Sequence, residues 1–206
     1  MKWVTLNELS NYSSTLALME QTVDAVINKL QPETTYLLEH QEVYTTGTNY
    51  TSSEILNLGN IPIIHTGRGG KCTYHGPGQR VIYPIIDLST KTRQKDVKLY
   101  IKMLEEWIIR SLDIIGVTSF IIPDRVGIWV KYGKSEAKIA SIGIRIRKWV
   151  TYHGIAVNIS TNLARFSRII PCGINDFPVT SLAELGVDIS LKEFDNILKA
   201  EFIKVF

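Results

Sequence analysis

The sequence predicts an α/β protein of the α+β type: a mixed, largely antiparallel sheet flanked by helices. Three observations lead there. Three apolar stripes recur at helical spacing, near the start, in the middle and at the end of the chain. The segments between them are rich in β-branched and aromatic residues with turn signals at their ends. The helices precede, interrupt and follow the strands instead of alternating with them, which argues against a doubly wound nucleotide fold.

The first stripe is Leu16, Met19, Val23, Val26, Ile27 and Leu30, closed by Pro32. Strands are expected in TYLLEHQEV, IPIIHT and RVIYPIIDL. The second stripe is Val97, Ile101, Leu104, Ile108, Leu112 and Ile115, ending at Gly116, a helix-stop position. TSFII and RVGIWVKY read as further strands, and AKIASIGIRIRKWVTYHGIAVNI as a β-hairpin turning around Arg147 and Lys148. The third stripe is Leu191, Phe194, Ile197, Leu198, Phe202 and Val205.

No repeat, low-complexity tract or linker interrupts the 206 residues, so the expectation is one catalytic domain spanning 1–206. A formal charge of +3 is too small to argue for nucleic acid. No apolar run is long enough to span a bilayer, and the first residues lack a signal peptide's apolar segment. Two cysteines, Cys72 and Cys172, lie far apart and read as free thiols. The expectation is a cytoplasmic protein without membrane or nucleic-acid partners.

Residues 67–79, GRGGKCTYHGPGQ, hold five glycines. Such density marks backbone with left-handed torsions or something in close approach. A phosphate loop does not fit: Gly70-Lys71 is followed by Cys72, and His65 stands where the motif needs its first glycine. Cys72 and His75 have a metal-ligand spacing, but His40, His65 and His153 lie on separate elements, so a closed four-ligand zinc site is not expected. A pair of tight turns explains the glycines. It does not explain Arg68, His75 and Gln79 among them, which suit a loop that clasps a carbonyl or an acyl chain.

In SRIIPCGINDFPVTSLAEL, Cys172 sits between Pro171 and Gly173. Locally it reads either as a small buried apolar residue or as a thiol held on a rigid corner facing a cleft. A nucleophilic thiol needs a base or cation beside it. His75, His153 and Lys138 are the candidates. Lys138 shares strand parity with Ala140, Ile142 and Ile144, a face where a solvated lysine is out of place unless it reaches water past an edge.

Taken together, RGGKCTYHGPGQ with the following YPIIDL, KIASIGIRIRKWVTYHGIAVNI and PCGINDFPVTSLAELG resemble the lipoyl(octanoyl) transferases, over residues 68 to 186 and in that family's order. One departure stands out: Cys72 replaces the usual valine and reads as packing. Residues 1–60 carry no diagnostic motif. The resemblance implies a fold like the biotin and lipoate protein ligases and an octanoyltransferase activity. Octanoyl would move from acyl carrier protein to a lysine of the lipoyl domains of 2-oxoacid dehydrogenases and the glycine cleavage system. Cys172 is implied as nucleophile and Lys138 as its proton-transfer partner. Arg68, Gly69, Gly70, Lys71, Cys72, Thr73, Tyr74 and His75 are implied as the acyl-substrate site. Ser141, Ile142 and Gly143 face it together with Gly154, Ile155 and Ala156. His75 is expected to orient groups near the thioester and His153 to brace the loop. Arg145, Arg147, Lys148, Arg165 and Arg168 form a candidate docking face for acidic partners. No cofactor or metal is implied, since the acyl group arrives on the carrier's phosphopantetheine.

Three alternatives remain. An ATP-dependent lipoate or biotin protein ligase on the same fold needs an adenylate site and no cysteine nucleophile. A non-catalytic module binding lipoyl domains or carrier protein needs neither Cys172 nor Lys138. A thioesterase needs water admitted to the acyl group.

Overall fold

A computed structural model of the chain describes residues 1–57, 59–90, 93–169 and 178–206. The main sheet has seven strands in the order β1-β2-β6-β10-β9-β8-β7. These are β1 (Lys2–Thr5), β2 (Thr34–Leu38), β6 (Gln79–Ile85), β7 (Ser119–Ile122), β8 (Arg125–Tyr132), β9 (Ser135–Arg147) and β10 (Val150–Asn158). Only β1 and β2 run parallel; the other neighbours are antiparallel. A three-stranded sheet, β4-β3-β5, is built from β3 (Val43–Thr46), β4 (Ile63–His65) and β5 (Cys72–His75).

Both faces of the central strands are covered, and their alternation shows it. Leu37 of β2 and Ile82 of β6 pack on one face against Trp107, Ile108 and Leu112 of α2 (Val97–Ile114) and Phe194, Leu198 and Phe202 of α3 (Leu191–Val205). Their neighbours Tyr36, Leu38, Val81 and Tyr83 turn to the other face, against Met19, Val23 and Val26 of α1 (Tyr12–Ile27). Trp107 is fully buried and donates its indole N–H to the Leu198 carbonyl at 2.8 Å, which locks α2 to α3.

Helix starts are capped by side chains the sequence supplies. The Asn11 side-chain oxygen accepts from the Ser14 amide, Asp96 from the Lys98 and Leu99 amides, and Ser190 and Glu193 form a reciprocal capping box. At the end of α2, Gly116 takes φ +77°. The β9–β10 hairpin turns through Lys148 and Trp149, at φ +49° and +67°, a two-residue turn whose twist matches its strands.

Three expectations need correction. TYLLEHQEV is not one strand: it breaks after Leu38, and β3 leaves for the smaller sheet. The loop of residues 67–79 contains a strand, β5, between its glycine groups. The strict alternation that put Lys138 on the Ala140 face is also interrupted, because Ile128 opposes Ala140 while Trp129 opposes Lys138, leaving Ile139 as an extra residue in β9.

Candidate acyl site

The loop after β4 is pinned from two sides. The Gly69 amide donates to the Ile144 carbonyl of β9 at 2.8 Å. From the end of β3, the Gly47, Thr48 and Asn49 amides donate to the Lys71, Arg68 and Gly70 carbonyls. The backbones come so close that a Cβ on Gly47 would stand 2.2 Å from the Gly70 oxygen, so glycine is required there. Buried Arg68 spreads its guanidinium over the Thr45 carbonyl (2.7 Å), the Thr45 hydroxyl (2.8 Å) and the Gly69 carbonyl (3.0 Å). Buried Glu54 holds the other end, pairing with Lys71 at 2.8 Å and accepting from the Cys72 amide.

Beneath this loop lies a cavity of about 490 Å³, counting its open mouth. Its roof is Arg68, Gly70, Lys71, Cys72, Thr73 and His75. Its floor follows the paired strands: Ser141 opposite Ala156, Ile142 opposite Ile155, then Gly143 opposite Gly154. Tyr12, Tyr83 and His153 complete it. Gly69 and Tyr74, expected at the site, do not line the cavity. Gly69 serves the loop's hydrogen bonds, and Tyr74 points its hydroxyl to Glu42 at 2.8 Å. Cys72 is buried against Tyr44 and Tyr74 and also touches the cavity, as a valine would.

Of the histidines that looked scattered, His40 and His153 come together with His75 at the cavity's Tyr12 end, while His65 stays on β4 against Thr46. His40 and His75 have ring centroids 5.6 Å apart, Tyr12 stacks on His75 at 6.0 Å, and Tyr83 meets His153 edge-on at 6.2 Å. The hydrogen bonds fix the protons of two of them. His40 Nδ1 must donate to the Ser10 carbonyl (3.1 Å), so its Nε2 accepts from Tyr83 (2.9 Å). The Gln79 amide nitrogen donates to the Tyr74 carbonyl and to Asn158, so its oxygen accepts from His75 Nδ1 at 2.7 Å. His40 and His75 thus carry hydrogen on Nδ1, and His153, whose Nδ1 lies 3.4 Å from the Tyr12 hydroxyl, can give or accept the proton of that bond.

They are also neutral. Burial lowers His40 to about 4. Burial, with Arg68 and Arg145 beside it, lowers His153 to about 3. His75 falls well below the usual histidine value, first through burial and then through His40 and Arg68. The same desolvation raises Tyr12 to about 12. His153 additionally holds φ +56°, a strained torsion for a residue with a side chain.

Lys138 lies outside the cavity lining but inside the protein. It is 5% exposed, its Nζ donates to the Val126 carbonyl at 3.0 Å and sits 4.8 Å from the Trp129 ring centroid. Gly127 makes the room: at φ +125°, a Cβ there would meet Lys138 Cε at 3.2 Å. A surface lysine reaching water is thus not what the fold builds. The chain returns to Lys138 at Pro178, where the Lys138 amide donates to the Pro178 carbonyl and the Thr180 amide to the Lys138 carbonyl. Thr180 accepts from Asn158, which joins Lys138's strand to the Gln79–His75 chain. Cys172, the expected nucleophile, falls in 170–177 and lies outside the described residues.

The candidate docking cations divide. Arg165 chelates Glu42 beside the small sheet, Arg147 pairs with Asp24 of α1, and Arg145 lies over Tyr152. Among the described residues no group of three or more His, Cys, Asp or Glu is placed to hold a metal ion, and no helix is long and apolar enough to cross a membrane. Tyr12, His40, Glu54 and Gly47 escaped the sequence reading, since they act through contacts distant in sequence and residues 1–60 offer no motif to flag them; Tyr83 lay in the YPIIDL block without an assigned role.

The fold is that of solved lipoate and biotin protein ligases. A putative lipoate protein ligase from T. acidophilum superposes with a TM-score of 0.72 at 18% identity, over 100% of this chain and 85% of that one. The biotin protein ligase of Aquifex aeolicus gives 0.56 at 13% identity, over 99% and 68%. At the sequence level the description "Lipoyl protein ligase A/B catalytic domain" matches residues 11–203. An "Octanoyltransferase" of Rickettsia felis is 59% identical over 207 residues, covering 100% of this chain and 99% of its own length. The chain belongs to the lipoyl protein ligase A/B catalytic-domain family, and its full-length relatives within that family are octanoyltransferases.

Proposed function

We propose that the protein transfers an octanoyl group from the phosphopantetheine thiol of acyl carrier protein to a lysine of lipoyl domains, through a thioester on Cys172 and without ATP. The full-length similarity to an octanoyltransferase carries the reaction class. The geometry supports the acyl site: a narrow trough of glycine backbone, Ile142, Ile155 and Ala156 under a pinned loop. Each buried methylene contributes about 0.8 kcal/mol, so such a trough holds an alkyl chain without any charged contact.

In the first half-reaction the Cys172 sulfur attacks the thioester carbonyl, its proton passing to Lys138. The carbon–sulfur bond to phosphopantetheine breaks, and the leaving thiolate takes that proton. In the second, the neutral amine of the incoming lysine attacks the Cys172 thioester. Lys138 accepts the amine proton, the amide forms, and the Cys172 thiolate departs. One thioester replaces another and then gives way to a more stable amide, so no nucleotide is needed. Lys138 suits the role because Val126, Trp129 and the bridge from Pro178 to Thr180 hold it next to the start of the chain that follows the cysteine segment. Donor, acceptor, Cys172, Lys138, the loop residues Arg68–His75 and a cytoplasmic location are parts of this one reading.

The test is octanoylation of an apo lipoyl domain by octanoyl-acyl carrier protein in ATP-free buffer, read as mass on the target lysine. Modification that appears only with ATP and free octanoate makes the protein a ligase instead.

A further inference from the structure

The trough has two chemically different ends. At one end is Ser141, three residues along β9 from Lys138. At the other is His153, paired with Ile144, six residues from Lys138 and so about 20 Å along the strand. Between them the floor is Ile142, Ile155 and glycine backbone. Resting on the acyl-transfer reading above, this orders the substrate: thioester towards Lys138, chain terminus towards His153.

That far end is not apolar. His153 is 1% exposed, its Nδ1 is taken by Tyr12, and its Nε2 has no hydrogen-bond partner among the described residues. As donor or as acceptor, a buried ring nitrogen is costly to leave unpaired, and a hydroxyl, which can both give and accept a hydrogen bond, satisfies it either way. His75, 6% exposed with its proton held by Gln79, also lines the cavity. A simple alkyl terminus has no such group.

We propose that His153 ends the acyl pocket as a hydrogen-bonding group, so that the enzyme also accepts medium-length acyl chains bearing a terminal hydroxyl and rejects longer unsubstituted ones. With octanoyl the ring nitrogen is satisfied by water. A ninth carbon displaces that water and leaves the nitrogen unpaired. A hydroxyl in the ninth position displaces the same water and replaces its bond. Burial first, and then Arg68 and Arg145 beside it, hold the His153 imidazole in its neutral form.

The decisive pair is nonanoyl against 8-hydroxyoctanoyl, nearly equal in shape and differing in one donor, each supplied on carrier protein to the wild-type enzyme with octanoyl as reference. The readout is kcat/KM for lipoyl-domain modification. In an apolar pocket the hydroxyl is the worse substrate by tenfold or more. Here 8-hydroxyoctanoyl is expected to exceed nonanoyl, by about tenfold, and His153→Leu to reverse the order. His153→Asn, better suited to the left-handed backbone, should keep a preference for the hydroxyl. Nonanoyl matching or exceeding 8-hydroxyoctanoyl in the wild type overturns the inference, whatever the variants do. Failure to transfer octanoyl at all overturns the acyl-transfer reading, and this inference with it.

Discussion

Acid should unfold this protein through its buried imidazoles. His40 and His153 are neutral in the fold at about 4 and 3, against an ordinary value near 6.5 in the unfolded chain. Above pH 6.5 both states hold these rings neutral and the term vanishes. As pH falls below 6.5 the unfolded chain takes up protons that the native state refuses, so stability declines until the native values are reached. Between pH 7 and 5 this costs about 2 kcal/mol per ring, roughly 4 kcal/mol for the pair, with His75 acting in the same direction. Such a loss is a large share of the total stability of a domain. Asp195 and Glu105, both raised mainly by burial, bind protons earlier in the fold and oppose it. Urea unfolding at pH 7, 6 and 5 measures the sum. His40→Gln isolates one ring, since glutamine can give Ser10 a donor and Tyr83 an acceptor without titrating. The variant should lose about 2 kcal/mol less than wild type over that interval. Equal losses in the two proteins, or a wild-type stability flat between pH 7 and 5, would refute the assignment of neutral histidines.

Two further substitutions probe the site. Gly47→Ala drives a methyl onto the Gly70 carbonyl and must lift the loop; kcat/KM for octanoyl-carrier protein should fall at least tenfold, with about 1–3 kcal/mol lost in urea unfolding. Lys138→Met keeps the stem's packing beside Trp129 and Gly127 but removes the amino group. Transfer should drop about 100-fold or more while the thermal midpoint moves by only a few degrees, and a variant retaining a tenth of wild-type activity would remove Lys138 from the chemistry.

Where each side chain's surroundings are local, the sequence told the fold. The stripes through Val23, Ile108 and Leu198 found their helices, and Arg147 and Lys148 marked the β9–β10 hairpin to within a residue. Gly70 and Gly78 declared their left-handed torsions by being glycine in a dense run. Other features depend on partners far along the chain. β5 hides within the glycine loop because Cys72–His75 is a strand only by pairing with Val43–Thr46. The Lys138 alternation failed because a bulge is decided by the register with β8, which no single strand encodes. The trough itself was partly legible: the motif blocks supply its roof and floor. Its Tyr12 end was not, since Tyr12, His40, Tyr83 and His153 are brought together by four separate elements.

The central claim is a covalent octanoyl-enzyme, and intact mass spectrometry tests it directly. The protein is mixed with octanoyl-acyl carrier protein without ATP, beside Cys172→Ser. The account predicts one added octanoyl group on the wild type alone, located on Cys172 and discharged by a lipoyl domain. An unmodified wild-type protein that still turns over, or an adduct that persists in Cys172→Ser, would contradict it.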